Sequence, residues 1–420
     1  MLQGILILLV FVLCAVGMMS RKLPAIIALP VMAILIAIIA RIPANDILTK
    51  IIGDGAVRLS SAMAAAMFGG MLSQVINRTG IANSIIKRAA ELAGDSPVIV
   101  ALVIAAAVAF VFTSIGGLGA FIMVGTIVLP IMISVGIDGI AAGSIMLIAF
   151  KIGILFNMYN YAFYSDVLGI PVQELKVFAL VYGAITAVAT TVFILVNVRK
   201  GRTRTAWAMP NSNMVDSDKK NVPVYALITP LIPILLVFVW KVHVIPAILS
   251  GALYGIITTK PKDIVNILSS SLIEGIKDVA PAIALMIGIG MVLLAVMNET
   301  TAAIMQPIIT AVVPSSKITY ILFFAILSPL ALYRGPLNLW GLGSGIAGLM
   351  LAAGTLSPMT ITAALLALSA VQDVADPTNT HNVWAANFLE IDTSALLKKT
   401  FPYVFGVAVV CLIYTTLFIW

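Results

Sequence analysis

Apolar positions dominate this chain in runs of about 20 residues, the length that carries a helix across a bilayer. In the first half they cover 2–19, 23–40, 57–77, 97–113, 119–136, 140–163 and 173–197. In the second they cover 223–240, 245–259, 276–297, 318–332, 339–353, 359–375 and 400–420. Between the two sets lies one long polar stretch, VRKGRTRTAWAMPNSNMVDSDKKNVP. The pattern predicts residues 1–198 as one unit, 199–222 as a basic linker and 223–420 as a second unit. Two further segments, 46–60 and 263–275, mix charge with spaced apolar residues and predict amphipathic helices lying on the membrane surface.

The two units repeat each other. DILTKIIGDG begins at Asp46 and DIVNILSSSL at Asp263, 217 residues apart. Gly125 and Gly343 are 218 apart, as are Gly136 and Gly354, and the segments starting at Ile170 and Ile391 are 221 apart. Taking 97–136 as a re-entrant hairpin, each unit has about five transmembrane helices plus one hairpin. An odd number of crossings turns the second unit upside down. The expected fold class is therefore an all-α polytopic membrane protein of two inverted repeats, with broken helices at the midplane.

Composition agrees: of 420 residues, 61% are hydrophobic and 10% charged, against about a quarter charged in a soluble domain. The net charge of +7 is topological and gives no nucleic-acid footprint. Arg199, Lys200, Arg202, Arg204, Lys219 and Lys220 place the linker in the cytoplasm by the positive-inside rule, with Arg21/Lys22, Arg78/Lys87/Arg88, Lys260/Lys262 and Lys398/Lys399 on the same side. Cys14 and Cys411 sit inside apolar runs and make neither a disulfide framework nor a metal cluster. The N-terminal apolar run precedes its basic pair, the reverse of a cleaved signal, and reads as a retained helix. Two histidines, His243 and His381, and no HExxH motif leave little for a membrane-embedded hydrolase, so an enzyme is not expected.

Four polar breaks interrupt the apolar pattern, two per unit. Non-helical backbone at membrane depth survives only where protein or a cavity covers it. FTSIGGLGAF offers Thr113, Ser114, Gly116, Gly117 and Gly119 at a hairpin tip, and helix packing by small residues is its plain alternative. LYRGPLNLWGLGSG offers Arg334, Gly335, Asn338 and Ser344 around Pro336, with the Arg334 fork suited to a carboxylate or phosphate. An arginine that snorkels, or pairs with a structural acid, is the alternative there. FKIGILFNMYNYAFYSD places Lys151, Asn157, Asn160, Ser165 and Asp166 in one span; Lys151 either attracts substrate or occupies a cation position as a fixed charge, or it pairs with an acid such as Asp373. VQDVADPTNTHNVW gathers Asp373, Asp376, Asn379, Thr380 and His381, groups suited to sodium or proton coupling. Pro377 removes the helical partner of the Asp373 carbonyl, which is expected to be free as an ion ligand.

With these breaks in matching places, the chain resembles the ion transporter superfamily. AMFGGMLSQVINRTGIANSI followed by TSIGGLGAFIMVGTIVLPIMISVGI is similar to the citrate–cation and gluconate–proton symporter families and the C4-dicarboxylate carriers. The resemblance implies a secondary transporter of a small organic anion, a carboxylate, coupled to a proton or sodium gradient. It further implies a multi-pass bacterial cytoplasmic-membrane protein, a homodimer working by elevator-type alternating access. Carried over to this chain, the hairpin tips are Ser114–Gly119 and Arg334–Ser344, and the helix breaks Asn157–Asn160 and Asp373–His381. The carriers' paired Ser-Asn-Thr signature is absent at both tips, which weighs against a sodium-coupled dicarboxylate mechanism. Expected partners are the anionic substrate and the lipid bilayer, with no nucleic acid; no cofactor is expected, a bound Na+ apart. The competing reading is a cation–proton antiporter of the same superfamily, which needs acids at both breaks, whereas the first offers only Asp166.

Overall fold

The computed structural model describes residues 2–20, 22–198 and 222–420. Nine helices fill the first unit: α1 Leu2–Met19, α2 Ala25–Ile39, α3 Ala44–Arg78, α4 Ile81–Ala93, α5 Pro97–Phe112, α6 Gly117–Ser134, α7 Gly139–Ile154, α8 Met158–Leu168 and α9 Val172–Asn197. Nine more follow in the second: α10 Val224–Phe238, α11 Val244–Thr259, α12 Pro261–Met297, α13 Glu299–Val312, α14 Lys317–Ile326, α15 Gly343–Ala353, α16 Pro358–Ala375, α17 Thr380–Phe388 and α18 Thr393–Phe418. No strand occurs among the described residues. The two series correspond helix for helix. Each holds a hairpin (α5/α6, α14/α15) and one span broken in the middle (α7/α8, α16/α17).

Local sequence sets the boundaries. Asp138, Asn298, Ser357 and Asp392 each accept a first-turn backbone N–H at 3.0–3.1 Å, satisfying donors that have no partner inside the helix. Pro97 and Pro358 stand at first helical positions, where the missing N–H costs nothing.

α3 and α12, the equivalent long helices of the two units, lie side by side and establish the inversion. Gly55 packs on Met291 near one end of α3, and Gly70 on Gly275 near the other, so numbers rise along one helix as they fall along its mate. They are antiparallel. At the second crossing a Cβ on Gly70 would lie 2.5 Å from the Gly275 carbonyl oxygen, so only glycine permits the approach.

Two expectations are corrected. The segments 46–60 and 263–275 are not separate surface helices; they continue the spans, making α3 35 and α12 37 residues long. Their mixed polarity reflects a helix end beyond the packed crossing, not a helix lying flat. The short amphipathic helices are α4 and α13 instead, and α13 meets the hairpin arm α14 at 98°. The basic linker and the cytoplasmic placement read from it fall, Val222 apart, outside the described residues.

Candidate functional site

Both hairpin tips and both breaks converge, and each break holds its own tip. In the first unit Asn157 caps α8 and sends its side-chain amide to the carbonyls of Phe112 (3.1 Å) and Ile115 (3.0 Å). Leu155, left without a helical partner, receives the Tyr161 hydroxyl at 2.7 Å. Thr113 donates to Phe110 O, and Ser114 reaches across to Pro230 O on α10 at 2.6 Å. Gly116 packs beneath the Tyr159 ring, and Gly117 turns into α6 at φ +84° with its face open.

In the second unit the same work is shared by two amides and an imidazole. The last carbonyls of α16 are capped in sequence by the first turns of α17: Gln372 O by Asn379 (2.7 Å), Asp373 O by His381 Nε2 (3.1 Å) and Val374 O by Asn382 (2.8 Å). The Asp373 carbonyl is therefore not free as an ion ligand, contrary to expectation. Pro377 removes its helical donor, but the chain re-enters helix so soon that His381 replaces it. A carbonyl only accepts, so His381 carries its proton on Nε2. Asp376, fully buried, accepts from the Thr378 amide (2.8 Å) and hydroxyl (2.6 Å) and, at 3.4 Å, from the backbone N–H of Arg334.

Tip 2 is organised by Asn338, whose own carbonyl takes the amides of Gly341 and Gly343 and whose side chain bonds Ala331 O and Trp340 N. Ser344 donates to Gly341 O. Tyr333 and Arg334 both have φ near +55°, a left-handed pair of side-chain-bearing residues costing on the order of 1–2 kcal/mol each. Trp340 stacks on Phe163 of α8 at 3.8 Å, and Phe121 of α6 packs on Trp384 and His381 of α17. Each tip or arm is thereby clamped against the half-helix of the other unit.

The units also meet through one buried ion pair. Lys151 Nζ lies 2.6 Å from Asp373 Oδ2 and 2.7 Å from Ser369 Oγ, and the lysine side chain is 1% exposed. Ser369 stands 218 residues after Lys151, the repeat's own offset. Of the two readings of Lys151, pairing with Asp373 is present.

The residues named from sequence differ in how their polar atoms are engaged. Thr113, Ser114, Asn157, Asn338, Ser344 and Asp376 spend their side-chain polar atoms on backbone or neighbouring hydroxyl groups. Gly335 carries the turn of tip 2, and Thr380 is exposed at the start of α17. Asn160 is different: it is 3% exposed and its Nδ2 has no partner. Arg334 is half-buried, and its guanidinium makes no ion pair among the described residues. Asn382 Oδ1 and Ser328 Oγ, also buried, have no partner among the described residues either.

Two cavities follow one seam. Ser61, Ala65, Gly69 and Leu72, a single face of α3, oppose Met158, Ala162, Ser165 and Asp166 around α8, with Val244 and Ile248 of α11 alongside. At the end remote from Val198 and Val222 the seam widens to about 260 Å3, lined also by His243 and Gln173; at tip 1 it narrows to about 10 Å3. Asp166 accepts from the Ala62 amide at 2.8 Å, so it caps the membrane part of α3 at this mouth and stays away from the central cluster. Sequence reasoning missed His243, Gln173, Ser61, Ser369, Tyr159 and Asp278. The last lies beside Gly119 and takes the Gln74 amide at 2.6 Å. In the sequence Asp278 stands at the start of the apolar run 276–297, outside the four polar breaks, and nothing local singled it out.

No family model matches the chain, and no curated protein matches it. Among solved structures it is similar to the YdaH transporter of Alcanivorax borkumensis, described as having an unusual topology, with a TM-score of 0.62 over 90% of each chain at 15% identity. The shared property is the all-helical membrane fold. That neighbour is not described as a citrate–cation, gluconate–proton or C4-dicarboxylate carrier.

Proposed function

We propose that the protein is a secondary active transporter of a small organic anion, a carboxylate, driven by an ion gradient with alternating access of elevator type. The observation that carries this is a half-buried Arg334 guanidinium with no ion pair among the described residues, near break carbonyls that are capped and a buried Asn160 Nδ2 that has no partner there. A buried unpaired donor is costly, so such groups call for an acceptor from outside. Arg334 presents a planar fork that matches a carboxylate. The N-termini of α8 and α17 begin at the two breaks, and half-helix starts of this kind favour anions. The left-handed backbone at Tyr333 and Arg334 is strain kept at a functional position. The seam between α3 and α8, narrow at tip 1 and open at its far mouth, suits a surface along which a hairpin-bearing body slides past α3 and α11. Cation–proton antiport fits less well, since it requires free oxygen ligands and most of those near the breaks are engaged.

Purified protein in liposomes, given a panel of labelled carboxylates with proton and sodium gradients imposed separately, tests the reading. At least one carboxylate should be taken up saturably. Arg334→Ala should reduce that uptake to the level of empty liposomes while the protein remains folded in the membrane. Unchanged uptake by Arg334→Ala would sink the assignment.

A further inference from the structure

We infer that the coupling ion is a proton received by Asp373, that its arrival releases Lys151 to face the anion, and that sodium has no site in either break. This rests on the reading of the centre as an anion carrier and names its coupling ion.

Oxygen atoms decide the sodium question. A sodium ion at the second break would draw on Gln372 O, Asp373 O, Val374 O and the carboxylates of Asp373 and Asp376. The three carbonyls are capped by Asn379, His381 and Asn382, and both Asp376 oxygens accept protein donors. Asp373 Oδ2 and Ser369 Oγ lie on the Lys151 ammonium. At the first break Asn157 takes Phe112 O and Ile115 O, and Tyr161 takes Leu155 O. Besides Asp373 Oδ1, which takes the Gln372 amide at 3.4 Å, the unpartnered buried acceptors of these segments among the described residues are Asn382 Oδ1 and Ser328 Oγ, too few for a hard-cation cage. The tethered ammonium of Lys151, set against the Ser369 that stands at its own repeat position, already fills the place of a cation.

Lys151 and Asp373 together are neutral. Hydronium gives a proton to Asp373 Oδ2, so an O–H bond of the hydronium breaks as the carboxyl O–H forms and water leaves, and the carboxylate's attraction for Lys151 Nζ is lost. Lys151 keeps its proton and its contact with Ser369. One positive charge is now unbalanced between the two breaks, and the substrate's negative charge balances it. Each turn thus moves one proton with one anionic charge. The charged or titratable groups around Asp373 are Lys151 on α7, Tyr159 and Tyr164 on α8, Arg334 on tip 2, Asp376 and His381 at the second break, and Cys411 on α18 beside Lys151.

Infrared difference spectroscopy on the full chain in liposomes tests this without any substrate. Acidification should produce a protonated-carboxyl band that is present in the wild type and in Asp376→Asn and lost in Asp373→Asn. Replacing choline by sodium at fixed pH should leave the carboxylate bands unmoved. A band that survives Asp373→Asn, or a sodium-induced carboxylate shift, overturns the inference. Should Asp373→Asn fail to fold, Asp373→Glu serves: the band's frequency should move with the changed side chain, and an unmoved band is equally fatal. For any carboxylate taken up, choline in place of sodium should leave the rate unchanged, and collapse of the pH gradient should abolish accumulation. The reverse result defeats the proton while leaving the anion carrier standing. Failure of the whole carboxylate panel defeats the carrier reading, and the infrared result still decides the proton.

Discussion

The first break turns on amides and hydroxyls, Asn157, Asn160 and Tyr161; the second turns on Asp373, Asp376 and His381, with Arg334 above them. The backbone problem is the same in both: a span interrupted at membrane depth leaves carbonyls without donors, and side chains from the following half-helix supply them. Asn157 does this for tip 1 with one side chain, while Asn379, His381 and Asn382 share the task at the second break. The halves therefore agree in architecture and differ in charge. The difference teaches that holding a break open needs no ion pair, so Lys151 and Asp373, which cap no break carbonyl with their side chains, are available for other work.

The sharpest way to break the comparison is to remove the charge that joins the halves. Lys151→Met leaves Asp373 buried without its partner and should cost about 3–5 kcal/mol of stability, whereas the double variant Lys151→Met/Asp373→Leu should recover most of that loss. Thermal unfolding of the two variants in detergent measures the contrast. If the single variant unfolds at the wild-type temperature, the pair contributes nothing and the two breaks are electrostatically independent.

Amide against amide sharpens it next. Asn157→Ala strips the donor from two buried carbonyls, for about 1–3 kcal/mol of lost stability. Asn160→Ala, three residues on, removes an amide with no bonded partner at Nδ2; it should leave unfolding almost unchanged and raise the substrate concentration needed for half-maximal uptake. Equal stability losses in the two variants would mean that Asn160 is as structural as Asn157. Side by side, unfolding curves and uptake isotherms separate the residue that holds the tip from the residue that is left open.

Much of this contrast was legible in the chain. Apolar runs, the 217–221-residue offsets and the Gly/Pro/Asn breaks are local properties, and they led to both hairpins, both broken spans and the inversion. What stayed hidden depends on where one helix meets another. Polarity at 46–60 and 263–275 looks the same whether a helix lies flat or extends past its partner, so the length of α3 and α12 could not be read. Pro377 correctly marked the Asp373 carbonyl as deprived of its helical donor, but that His381 would supply another depends on the turn that follows. Lys151 was visible as an oddity, and its two partners lie more than 200 residues away. The polar mouth between Asp166 and His243 joins different units, which no local pattern can announce.

Backbone strain gives the smallest effect and the cleanest separation of tip 1 from tip 2. Tip 1 makes its positive-φ turn with Gly117, at no steric cost; tip 2 makes its own with Tyr333 and Arg334, at φ 56° and 55°. Gly117→Ala has room for its methyl and should lose about 1 kcal/mol from backbone strain alone. Arg334→Gly should gain about the same amount, because glycine takes that backbone freely and Arg334 gives up no ion pair among the described residues. A variant that is more stable and yet inert in uptake would locate the reason for the arginine in the anion and not in the fold. If Arg334→Gly is instead destabilised by several kcal/mol, the side chain holds tip 2 together, and the asymmetry between the breaks is structural after all.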